Sequence, residues 1–197
     1  PHKNNGYALL YGTFTAGNPG GFSYAELDRV ISPARDIDYT DFVMGLAGVS
    51  AAVGSTTGTV HIVWDCDNDL IKVFQKKPGG SWITCTVKES MHTTGEKQPF
   101  LRIYLETGTI SVAEVVYVAQ SVVRGVYYTQ VWDGREIAPI TLLYQGASAQ
   151  EQLFNPVLEK GYVFWSGMVA PKKTEVYGRQ IPVPGTTTPV ENISSSP

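Results

Sequence analysis

The chain has 197 residues, with 15 Lys and Arg against 18 Asp and Glu, a formal net charge of −3. That balance, with no basic run longer than Lys76-Lys77 or Lys172-Lys173, argues against nucleic-acid binding by phosphate neutralisation, so direct contact with nucleic acid is expected to be weak or absent. Charged residues make up only 17% of the chain, so uncharged surface has to be covered, and an oligomer interface is the simplest cover. The length suits one all-β domain, expected over residues 1–180 with a tail over 181–197, and roughly 70% of the unfolded surface of such a chain is buried on folding. No run of about 18 apolar residues occurs, so no membrane span is expected, and no signal peptide is read. Cys66 and Cys85 read as reduced, half-buried thiols, with a bridge between neighbouring strands as the alternative. The chain starts at Pro1 without an initiator Met, which is compatible with a product cut from a polyprotein.

In chain order, residues 7–15 read as a strand and 16–21 as a loop. Ser23 followed by Glu26 makes a capping box, and Ala25, Leu27 and Val30 fit one short helix ending at Ser32-Pro33. Residues 36–44 fit either a strand or a helical turn, and the Gly-, Ala-, Ser- and Thr-rich stretch 45–58 reads as a loop or irregular edge. From Gly58 to Lys88 the chain reads as an antiparallel meander. Val60, Ile62 and Trp64 alternate with Thr59, His61 and Asp65, which predicts a half-buried strand with Ile62 and Trp64 inside and His61 and Asp65 outside. Two further strands, 70–74 and 82–87, follow across the turn Lys77-Pro78-Gly79-Gly80. After a polar loop over 89–98, strands are expected at 101–105, 110–119 and 126–132. Asp133-Gly134 then suits a type I′ hairpin leading into 136–144. Beyond a loop at 145–152, strands are expected at 161–165 and 167–169. Pro182, Pro184 and Pro189 keep the tail out of any central strand position.

Asp65, Asp67 and Asp69 alternate in the turn after the first meander strand. Hard cations take such oxygens, yet Leu70 stands where an EF-hand needs its glycine and Lys76 where it needs its bidentate glutamate. The turn therefore reads as solvated, with a calcium ion shared between subunits as the alternative. His2, His61 and His92 sit in no recognisable triad order, and Glu26, Glu89, Glu96 and Glu114 form no recognisable acid pair. Catalysis is the weakest functional class for this sequence, and no catalytic residue is assigned. Trp82, Tyr104, Tyr117, Tyr127, Tyr128 and Trp132 either bridge packed sheets or stack on a partner. Asn192-Ile193-Ser194 is a glycosylation sequon, relevant only to a secreted chain.

The strand and acidic turn GTVHIVWDCDND at 58–69, together with FLRIYLETGTISV at 100–112, resemble in pattern the jelly-roll coat proteins of small icosahedral, picorna-like RNA viruses. The resemblance spans roughly residues 50–145 and lacks the basic arm of many such coats. It implies an antiparallel β-sandwich of jelly-roll type with one or two short helices and an extended Pro-rich tail. It implies a structural, non-enzymatic subunit of the virion, assembled in the host cytoplasm with copies of itself or other coat subunits, needing no cofactor beyond the calcium already weighed. The tail, through Ile181, Val183, Val190 and Ile193, is expected to be held by a neighbouring subunit, because so little apolar surface cannot offset about 1–2 kcal/mol of backbone entropy per residue. The alternative is a β-sandwich binding module, a protruding or lectin-like domain that recognises a glycan or a protein receptor.

Overall fold

The computed structural model describes residues 6–13, 17–18, 20–31, 49–66, 70–87, 98–119, 124–148, 151–170, 173–183 and 186–194. The chain divides into two compact units, Pro1–Met44 and Gly45–Pro197, where the sequence suggests one domain over 1–180.

In the first unit, β1 (Gly6–Thr13) pairs antiparallel with β2 (Ser23–Ile31), with a register shift between Leu9 and Leu10. The helix expected over 23–31 is therefore a strand. Ser23 does not cap: its hydroxyl meets that of Thr13 at 3.0 Å across the hairpin. Tyr24, Glu26 and Asp28 alternate with Ala25 and Leu27, and once β1 supplies a ladder, period-two pairing outweighs a local capping signal. No helix occurs among the described residues. The undecided stretch 36–44 lies outside them.

In the second unit, antiparallel sheets stack in layers. The first is β3 (Val49–Val53), β4 (Val60–Cys66), β5 (Leu70–Lys76) and β6 (Trp82–Val87), in that order. The second is built from β7 (Phe100–Thr107), β8 (Ile110–Ala119) and β9 (Gly125–Trp132), with β10 (Arg135–Glu136) and β11 (Thr141–Gln145) both pairing with β9. The third runs β12 (Gln152–Glu159), β13 (Tyr162–Ala170), β14 (Lys173–Gln180) and β15 (Val190–Asn192). Each follows chain order, as short connections favour, except that β11 returns to pair with β9 beside β10. The crossed strand order of a jelly roll is absent among the described pairings; alternation in a sequence marks strands but not their partners.

The second sheet is the middle layer. Ala113, Val115, Tyr117 and Val131 pack against Val63, Ile71, Val73, Cys85 and Val87 of the first sheet. The alternate residues Val116, Val118, Val126 and Tyr128 pack against Leu153, Leu158, Val163 and Trp165 of the third. Burial on both faces explains why β8 is apolar with almost no alternation: every residue from Ser111 to Ala119 is buried. At full burial, each Val or Leu side chain here contributes about 1.5–3 kcal/mol.

Strand β4 is likewise buried on both faces. Trp64 is 4% exposed, as expected, but His61 is fully buried and, with Val63, faces the second sheet; Ile62 and Trp64 occupy the opposite face. The period is as read, whereas the inside–outside assignment of His61 is reversed. The Asp133-Gly134 hairpin forms as expected, with φ of 51° and 74°, although its returning strand is split into β10 and β11. A Cβ on Gly134 would lie 2.3 Å from Ile83 Cγ2, so this turn is pressed against β6.

Candidate interaction surface and buried polar sites

The third sheet has one covered face and one bare face. Pairing places Phe154 beside Ser166, Val157 beside Phe164, Phe164 beside Gly178, and Ser166 beside Val176. Residues paired across an antiparallel ladder share a face, and this one is opposite Leu158, Val163 and Trp165. It carries Val157, Tyr162, Phe164, Met168 and Val176, continued by Ile193 beyond β15. Tyr162 and Phe164 stack at 6.1 Å, and Phe164 lies directly over Gly178. Tyr162 is 43%, Val176 39% and Ile193 53% exposed. The ladder places polar residues at its margins: Gln152, Glu159, Thr174, Gln180 and Glu191. An apolar centre with a polar rim is the anatomy of a protein interface.

The tail is held within its own chain. Val190–Asn192 pairs with Tyr177–Arg179, the Ile193 N–H donates to the Val176 carbonyl at 2.7 Å, and the Ser194 hydroxyl accepts from the Val176 N–H at 2.7 Å. The Ile181 N–H donates to the Gly161 carbonyl at 2.8 Å, and its side chain packs on the core between the second and third sheets. Strand β14 thus meets the ordering cost that the sequence reading assigns to a neighbour. Val183, Val190 and Ile193 remain exposed, with Ile193 at the edge of the bare face.

A buried polar chain joins the first and second sheets. His61 Nε2 meets Ser111 Oγ at 2.8 Å, and His61 Nδ1 meets Gln75 Nε2 at 2.9 Å. Gln75 Oε1 accepts from the Gly134 N–H at 2.9 Å. A Ser–His contact invites a nucleophile-and-base reading, but an amide NH₂ can only donate, so Nδ1 must be the accepting nitrogen. The proton then sits on Nε2, and His61 cannot take one from Ser111. Burial also lowers the ring's pKa to about 4. Nearby, the β3–β4 loop grips Glu106: the Thr57 N–H and hydroxyl reach one carboxylate oxygen at 3.0 and 2.8 Å, and the Thr56 N–H and Ser55 hydroxyl reach the other. These bonds, the Thr57 N–H foremost, hold Glu106 down to about 2. Gly54 leaves the room this requires, since a Cβ there would lie 2.1 Å from Glu106 Oε1.

On the other side of the middle sheet, Glu114 is almost wholly buried. Tyr128 donates to it at 2.8 Å, Gln130 donates to Tyr128 at 2.7 Å, and Arg102 Nε lies 3.4 Å away without hydrogen-bond geometry. Burial raises the Glu114 pKa, while Tyr128 and Arg102 oppose the rise; burial and Glu114 push the Tyr128 hydroxyl up.

Of the acidic turn, Asp65 is half-buried at the end of β4, and Asp67 and Asp69 lie outside the described residues. Among the described residues no group of three His, Cys, Asp or Glu side chains is placed to hold a metal. The flagged aromatics separate by role. Tyr117 and Tyr127 stack at 5.3 Å between the first and second sheets, and Tyr128 is buried on the other face. Tyr104 is exposed, Lys76 sits over Trp82, and Arg135 over Trp132. Sequence reading passed over Gln75, Ser111 and Arg102. A signal existed for Gln75 and Ser111, because they continue the inward parity of Ile71–Val73 and Ala113–Val115. No helix among the described residues is long and apolar enough to cross a membrane. No protein-family model, curated protein or solved structure significantly matches this chain.

Proposed function

We propose that this chain is a structural subunit that works by associating with copies of itself, as a coat subunit of a small icosahedral RNA virus does. The observation that carries the reading is the bare apolar face of the third sheet, with Val157, Tyr162, Phe164, Val176 and Ile193 on it. Three strands of eight or nine residues and the three-residue β15, at about 4.8 Å spacing and about 3.3 Å per residue, give a face of roughly 440 Å². Two such faces stacked would bury about 900 Å² in all, below the roughly 1,200 Å² of a standard specific interface and in the range of weak contacts. One such contact is weak and joins copies two by two; a closed lattice needs further contacts on other surfaces of the chain, whose strengths then add. The reading assigns the chain no catalysis, takes it to be released from a polyprotein, and places it in the virion after assembly in the host cytoplasm. A shared calcium at Asp65, Asp67 and Asp69 is compatible with it. The viral resemblance rests on the sequence patterns at 58–69 and 100–112, with the antiparallel build compatible with it, and jelly-roll strand order is not part of its support.

A second reading has its own observation. Because β15 pairs with β14, the tail needs no neighbour, which favours a self-sufficient binding module for a glycan or protein receptor. Light scattering across a hundredfold range of protein concentration separates the two. Mass that climbs with concentration supports the assembling subunit. A constant monomer, dimer or trimer supports the binding module.

A further inference from the structure

We propose that His61, Gln75 and Ser111 form an acid-sensitive latch between the first and second sheets, closed while the His61 ring is neutral and opened by its protonation. The latch is set by the Gln75 amide. Its Oε1 accepts from the Gly134 N–H at 2.9 Å, a backbone donor that fixes which way the amide faces. Its Nε2 therefore faces His61 Nδ1 at 2.9 Å and the Val131 carbonyl at 3.4 Å. Nδ1 must be bare, and the Nε2 proton is donated to Ser111 Oγ at 2.8 Å. The ring has one satisfied tautomer, and Gly134 of the facing sheet's turn dictates it.

Protonation breaks this arrangement. A hydrogen on Nδ1 meets the Gln75 NH₂ donor to donor. Turning the amide over gives that hydrogen an acceptor but points the NH₂ at the Gly134 N–H. Unturned, the chain loses the His61–Gln75 bond within the first sheet; turned over, it loses the Gly134 bond between the sheets, and in both cases a cation is left in a fully buried position. The charged groups around the latch give little compensation. Glu106 of β7 favours the charged ring only through space, and its own oxygens are engaged by Ser55, Thr56 and Thr57. Lys77 and Asp133 line the adjacent crevice but pair with each other at 3.1 Å. The rest of that crevice is neutral: Thr59, Ile83, Ser111 and Trp132. Burial sets the ring's midpoint at about 4, well below its ordinary 6.5.

The test is an NMR titration of the His61 ring in the intact chain, with hydrogen exchange followed at the Gly134 amide. The latch predicts the Nε2–H tautomer at neutral pH, a ring midpoint near 4, and loss of Gly134 protection over the same pH range. Gln75→Glu supplies a carboxylate that can accept from Nδ1–H and from Gly134 together, so the midpoint should rise by about 1–3 units while Gly134 stays protected. A wild-type ring that titrates at its ordinary value, or one that titrates without any change at Gly134, overturns the proposal. So does a Gln75→Glu chain that loses Gly134 protection at the wild-type pH. Should that variant not fold, the coincidence of the two wild-type midpoints decides alone.

Discussion

The middle and third sheets of the second unit are built from similar residues and meet different surroundings. In the middle sheet, successive residues of β8 are buried whichever way they face, and even its charged residue, Glu114, is enclosed with Tyr128 and Arg102. In the third sheet, Val163 and Trp165 are enclosed while their neighbours Tyr162 and Phe164 lie on the uncovered side. Both sheets follow the same pairing rules. What differs, among the described residues of this unit, is whether a second layer covers the sheet. The middle sheet is finished by folding, and the third is half finished, which is why its outer face is the natural place for another copy.

Substitutions that sharpen this contrast should differ greatly in cost. Trp165→Ala empties the layer between the second and third sheets and should cost about 3–5 kcal/mol in chemical denaturation. Arg102→Met strands the buried Glu114 carboxylate and should cost up to about 3 kcal/mol at pH 7, the pair being partly exposed on the Arg102 side. Because the folded-state pKa of Glu114 is raised, the carboxyl favours the fold while neutral, and that contribution is lost as pH rises through its folded pKa. The Arg102→Met deficit should therefore shrink in acid.

His61 has the opposite requirement. Its folded pKa is lowered, so the unfolded chain binds the extra proton first, and stability should be flat above pH 6.5 and fall between 6.5 and about 4. The loss over that window is up to about 3 kcal/mol, and a His61→Gln chain should lack it. Glu106 acts lower still: its contribution is present above its ordinary 4.5 and disappears as pH falls through about 2. Val176→Asp belongs at the small end. On a partly solvated face it should cost about 1 kcal/mol in lost strand propensity and packing, and a loss of about 3 kcal/mol or more would mean that the face is covered within the chain.

Much of the layered core was legible from period-two patterns and turn residues. Strands β4 to β9 and the Asp133-Gly134 hairpin fall where alternation, Gly and Pro place them. The misreadings have physical causes. Alternation gives a strand's period but not its phase, so it could not tell that His61, rather than Ile62, faces the second sheet. Strand β12 was passed over because Pro156 and the left-handed Asn155, φ 51°, fall in a register shift inside it. Strand β2 carries a helix-capping signal that loses to its pairing with β1. The bare face could not be seen at all, because a sequence does not say which apolar side of a strand will find a layer to cover it.

The most direct test of the central claim is sedimentation velocity of the wild-type chain and of Val176→Asp, each over a wide concentration range. The account predicts that wild-type mass climbs with concentration, while the variant keeps the monomer's mass and still unfolds cooperatively, with a melting temperature lowered by only a few degrees. A wild-type chain that stays monomeric at the highest concentration, or a variant that associates equally well, would contradict it.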